Sequence, residues 1–306
     1  MLGKKILSRQ SGIIVYGITP PKKDTSPERI EALSKKQVER IGALNVDGLV
    51  LYDLQDEKDR NPNDRPFPFL ETLDPMYYSN KYLGDLKIPK IIYRCVGKYT
   101  AAQFPEMIAP TNGQNDFSVF VGASSREQKV FLRLSEAYEI YQNMTHRPTL
   151  GGVLIPERHM IKSDEHLRII SKMEKGCKYF ISQAVYNLEA SKNFLSDYYY
   201  YCKSENIEMV PIIFTLTPCG SKKTLEFLKW LGISIPRWLE NDLKNSKDIL
   251  SESLSLCKSI FGSLLNFCIQ KKIPIGCNIE SVSIRRVEIE ASITLAKDIK
   301  NMMGQL

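Results

Sequence analysis

Histidine is scarce in this chain: there are three in 306 residues, His146, His159 and His166. They do not fall at paired ligand spacing, so the sequence points away from a metal site. None of the seven cysteines forms a CxxC motif, and their odd number gives no disulfide framework. They read as reduced core residues. None stands at a strand end beside a histidine, so nucleophilic catalysis has no support. No apolar run is long enough to span a bilayer. The N-terminal MLGKKILSRQSG has basic residues but no apolar signal core. A cytoplasmic protein that does not engage membranes is expected. No arginine-rich arm or basic–aromatic motif is present, which argues against nucleic acid as a partner.

What is present is an ordinary globular composition, 43% hydrophobic and 25% charged. The net charge of +7 comes from 42 basic and 35 acidic residues. The basic residues scatter over predicted helix faces, and the excess suits an anionic small-molecule ligand. The length allows one large α/β domain or two ordinary ones. Strand-like runs fall at 12–19, 47–53, 89–96, 116–122, 149–156, 178–186, 208–217 and 273–283. Amphipathic stretches separate them, among them SPERIEALSKKQVERIGAL, REQKVFLRLSEAYEIYQNM and LEASKNFLSDYYYYCKSEN. Eight strand–helix units with near-continuously apolar strands predict a single (β/α)8 TIM barrel over residues 1–306. An extra helical segment precedes strand eight. A doubly wound sheet is the alternative, but its glycine-rich first turn is missing. The loop after strand two, LQDEKDRNPNDRPFPFLETLDP, is long and proline-rich, the kind that usually serves function.

Barrel chemistry sits at the C-terminal strand ends. Polar residues there include Asp53, Arg94, Ser124, Glu157, His159, Gln183, Tyr186, Asn278, Glu280 and Arg285. Gln183 is the one amide in the apolar strand YFISQAVY. It is either a satisfied core amide or a bidentate hook for a heterocycle with amide-like edges. Glu157 and His159 follow Pro156 in GGVLIPERH, as a solvated loop or as site residues. Glu280 is a carboxylate on a barrel strand, expensive unless paired or catalytic. The first strand closes with YGITPPKK, where Gly17 stands in place of any acid or base.

Several of these segments together resemble the methylenetetrahydrofolate reductase family. TPPK resembles its PPR/PPK turn, GGVLIPERH its PE-x-H, and KMEKGCKYFISQAVYN its K-x-x-x-G-A-x-x-x-I-T-Q. VPIIFTLTP and LGISIPRWL are similar to two further elements, and the spacing holds from about residue 149 to 240. The resemblance implies a barrel that reduces 5,10-methylenetetrahydrofolate to 5-methyltetrahydrofolate with FAD and NAD(P)H. It assigns Gln183 to folate and nicotinamide and Arg285 to the substrate; Tyr186, at the end of the same strand as Gln183, is a further substrate-binding candidate by position. The resemblance assigns His159 and Lys172 to the flavin; Asp53, closing strand two, is a further cofactor-binding candidate by position. The chain departs from the pattern at three places. Gly17 replaces the acid that protonates the folate nitrogen. Val121, Gly122 and Ala123 replace an arginine-glycine-aspartate, and Ile155 replaces a tyrosine. Glu280, then Glu157, then Asp53 are the candidates to replace the acid. Either FAD is held weakly or hydride passes directly from NAD(P)H. The other readings are a folate-binding protein without turnover and a folate-dependent methyltransferase. Homo-oligomerisation is left open.

Overall fold

The computed structural model describes residues 2–57, 61, 63–110, 116–125 and 128–304. Eight parallel strands follow one another in sequence order around a closed barrel. They are β1 (Ile13–Ile18), β2 (Gly48–Leu51), β3 (Lys90–Cys95), β4 (Asp116–Val121), β5 (Thr149–Leu154), β6 (Tyr179–Ala184), β7 (Ile212–Leu216) and β8 (Ile275–Glu280). Each lies inside a segment expected from its apolar run. The contacts within the chain gather into two compact units. One comprises Met1–Ile14, Val153–Glu174 and Lys178–Leu306, and the other Val15–Gly152 with Lys175–Cys177.

The second unit holds α2 (Pro27–Gly42), α3 (Pro75–Tyr82), α4 (Phe104–Ile108) and α5 (Leu134–Asn143). Ser26 and Asp74 cap α2 and α3 with their side chains, each followed by a proline at the first helical position. The helix expected over residues 126–144 begins only at Leu134, and residues 126–127 lie outside the described set. Residues 58–60 and 62 of the long loop also lie outside it.

The first unit opens with α1 (Leu2–Leu7), which buries Leu2 and Ile6 one turn apart. It continues with α6 (Pro156–Lys162), α7 (Glu165–Glu174), α8 (Leu188–Ser204), α9 (Lys222–Trp230), α10 (Arg237–Asn245), α11 (Ile249–Lys271) and α12 (Arg286–Met303). The pair α10 and α11 is the extra helical segment expected before strand eight. Of the two readings of the segment after strand five, the solvated loop does not hold, because the segment is helix α6. Pro156 opens it with a preset φ, and Ser163 ends it in the left-handed region at φ 52°.

Candidate functional site

In the first unit, β6 departs from a regular strand where it pairs with β7. Ile181 pairs with Ile213 but Ala184 with Thr215, so Ser182 and Gln183 share a bulge with one extra residue. Bulges re-aim side chains beside functional sites. Thr215 fixes this one: its backbone N–H donates to Ser182 Oγ at 2.9 Å, and its Oγ1 to the Ser182 carbonyl at 2.6 Å. Asn278 Nδ2 on β8 donates to the same Thr215 Oγ1 at 3.1 Å. Gln183 is half-buried, and its Nε2 donates to the Leu231 carbonyl, just past α9, at 2.8 Å. Its Oε1 has no partner among the described residues. Gln183 therefore offers one oriented acceptor rather than a two-point hook.

Glu157 stands in the first turn of α6, directly after β5. Both of its carboxylate oxygens are buried without a partner among the described residues. Burial pushes its carboxyl up to about 7, and the negative charge of Glu165 adds to the rise. Glu165 is itself fully buried, raised by desolvation, and accepts the Ile155 N–H at 3.1 Å. Glu280, the first sequence candidate for the acid, ends β8 half-buried.

Tyr186 is enclosed in a core with Leu225, Leu228 and Leu239. Its hydroxyl donates to the Thr217 carbonyl at 2.6 Å. As a substrate residue it is corrected to a core residue, because neither its ring nor its hydroxyl is left for a ligand. Arg285 is half-exposed before α12, and its Nη1 donates to the Gly220 carbonyl at 3.2 Å. Beside it, buried Glu288 accepts the Gly220 N–H at 2.8 Å and the Thr224 hydroxyl at 3.0 Å.

The three cofactor residues are engaged inside the protein. His159 is buried on α6, with Nε2 3.0 Å from Asp197 Oδ2 on α8. Lys172 on α7 donates to the Val153 carbonyl at 2.6 Å. In the second unit, buried Asp53 accepts the Cys95 N–H at 2.9 Å and the Lys98 ammonium at 2.5 Å. With these partners, His159 and Lys172 do not fit the flavin contacts that the resemblance assigns to them, nor is Asp53 left for a cofactor.

Nearby in the second unit, Arg94 is fully buried on β3. Its Nη1 meets Asp74 Oδ2 at 2.5 Å and the Tyr99 hydroxyl at 3.2 Å. Asp74 and Lys98 escaped the sequence reading. The Asp74–Pro75 pair is a legible helix-capping signal, whereas nothing local marks Lys98. The pairing of Asp197 with His159 was missed for the same reason, since the two are 38 residues apart in the chain.

Over residues 151–258 the chain matches a family model described as methylenetetrahydrofolate reductase. It is similar to a solved structure described as an uncharacterized protein from Clostridium thermocellum that binds two copies of 5-methyl-5,6,7,8-tetrahydrofolic acid. The identity is 64% over 99% of this chain and 100% of that one, with a TM-score of 0.89. Dihydropteroate synthase from Anaplasma phagocytophilum, with bound 6-hydroxymethylpterin-monophosphate, is 9% identical over 95% of this chain and 98% of that one, at a TM-score of 0.46. No curated protein matches the chain.

Proposed function

We propose, from the premise that this chain belongs to the methylenetetrahydrofolate reductase family, that it binds a reduced folate and reduces 5,10-methylenetetrahydrofolate to 5-methyltetrahydrofolate with NAD(P)H as the hydride source. Gln183 is the observation that carries this reading. The β6 bulge and the Leu231 carbonyl hold its amide in one orientation, leaving Oε1 as an acceptor. A pterin presents N–H donors along its pyrimidine edge, and an acceptor fixed in advance lowers the entropy lost on binding. The 64%-identical relative, described as binding 5-methyltetrahydrofolate, supports the ligand class. The net charge of +7 suits the carboxylates of a folate tail.

The reduction needs a proton and a hydride. The bond between the bridging carbon and N10 breaks as N10 takes a proton. The resulting N5-iminium accepts hydride at carbon and becomes the methyl amine. With glycine on β1, Glu157 is the group best suited to supply the proton. It is a carboxyl buried directly after β5, with neither oxygen hydrogen-bonded among the described residues. No step is routed through a flavin, because the residues assigned to one are engaged elsewhere.

A second reading, folate binding without turnover, draws on the same two features: the glycine on β1 and the engaged flavin positions. Purified protein separates the two. Calorimetry with 5-methyltetrahydrofolate reports binding, and NADH or NADPH oxidation with the methylene substrate reports reduction. Binding with turnover supports the reductase, and binding without turnover supports the second reading. No binding contradicts both.

A further inference from the structure

We propose that His159, His166 and Asp197 form a binding site for a divalent transition-metal ion of the zinc class, separate from the folate reading and not dependent on it. Sequence spacing hides this site because its ligands come from three helices. His159 is on α6, His166 on α7 and Asp197 on α8. The left-handed turn at Ser163 folds α7 back so that the two imidazoles meet edge to face, with ring centres 5.4 Å apart. One ligand atom from each of the three residues lies within 4.8 Å of the others. His159 Nε2 and Asp197 Oδ2 are already 3.0 Å apart. Donors around a tetrahedral zinc, with bonds of about 2.0–2.1 Å, stand roughly 3.3 Å apart. Small side-chain rotations at His166 and the half-exposed Asp197 bring the set to that spacing.

Further observations favour an ion here over a plain histidine–carboxylate pair. Nδ1 of His166 is buried with no hydrogen-bond partner among the described residues, and so is Oδ1 of Asp164, whose charge acts on His166. Buried polar atoms are normally satisfied, so the two unsatisfied ones at His166 and Asp164, beside the His159–Asp197 pair, mark an incomplete polar network. The imidazoles are also framed in advance by rings of α8. Phe194 meets His159 at 6.2 Å and Tyr201 meets His166 at 5.6 Å. Beside them an open cavity of about 300 Å³ is lined by His159, Met160, Ser163, Asn193, Ser196 and Asp197. It leaves room for water in the remaining coordination positions. Two imidazoles and one carboxylate suit Zn²⁺, Co²⁺ or Ni²⁺, whereas Mg²⁺ and Ca²⁺ require oxygen donors. A bound ion ties α6 to α7 and α8, and so fixes the helix that begins with Pro156 and Glu157.

The test uses the full chain, stripped with EDTA and then dialysed. Zn²⁺ titrated in a calorimeter should bind one per chain, Co²⁺ should give visible d–d absorption, and Mg²⁺ should produce neither signal. Zn²⁺ should also raise the unfolding temperature. His166→Ala and Asp197→Asn should each weaken Zn²⁺ by about tenfold or more, while His146→Ala should leave it unchanged. If a variant fails to fold, the parent protein still decides. Absence of stoichiometric Zn²⁺ binding by the parent overturns the proposal. So does equal affinity in folded His166→Ala and Asp197→Asn, or Mg²⁺ binding as tightly as Zn²⁺.

Discussion

Gln183 and Glu157 carry the chemistry of the proposed reaction, and each has a substitution that isolates it. Gln183→Leu removes the acceptor and the Leu231 contact while keeping the volume of the strand. Leaving a ligand N–H unpaired costs about 1–3 kcal/mol, so calorimetry should find 5-methyltetrahydrofolate bound roughly 5- to 150-fold more weakly, with unchanged circular dichroism. Glu157→Gln keeps the shape but donates no acidic proton. Steady-state kinetics should give a kcat lower by about 10²–10⁴ with KM little changed, the pattern of a lost general acid. Full activity in that variant would return Glu280 to first place. Gln183 was legible because an amide in an apolar strand is conspicuous. Glu157 was only half legible: the sequence put it at a strand end, but its enclosure depends on α6 and on Glu165, eight residues later. Tyr186 misled because position alone cannot tell a strand-end hydroxyl that faces a ligand from one bound to its own backbone.

The strands were readable as elements because each is an apolar run bounded by turns and charges. The helix α6 was not, because PERHMIK is short and polar and is held by burial of Pro156 and His159. The β6 bulge was equally invisible, since it exists only against the register of β7. Two predictions belong to this scale. Gly276 on β8 lies so close to β1 that an added Cβ would meet the Ile13 carbonyl oxygen at 2.7 Å and Ile13 Cβ at 3.0 Å. The obstacle is partly backbone, which cannot rotate away. Gly276→Ala should therefore destabilise by about 1–3 kcal/mol in chemical denaturation. Glu288 anchors α12 to the turn after β7, so Glu288→Leu leaves the Gly220 N–H and the Thr224 hydroxyl without their acceptor. A loss of about 1–3 kcal/mol is expected in the same measurement.

Across the whole molecule, all seven cysteines are buried and free, as their sequence pattern implied. Burial pushes the thiols of Cys219 and Cys257 up to about 12. The native chain should thus react slowly with a thiol reagent at pH 8 and release all seven equivalents only when unfolded. No helix among the described residues is long and apolar enough to cross a membrane. The strand order and the closed ring were both anticipated from eight alternating strand–helix units, whereas the register of each pair was not, because it is a property of strand pairing rather than of any one segment. In the proposed function, Gln183 on β6 and Glu157 after β5 serve a reduced folate. Calorimetric titration of 5-methyltetrahydrofolate into the parent protein and into Gln183→Leu tests it most directly. Saturable binding by the parent and markedly weaker binding by the variant are expected. No binding by the parent, or equal affinity in the two proteins, would contradict it.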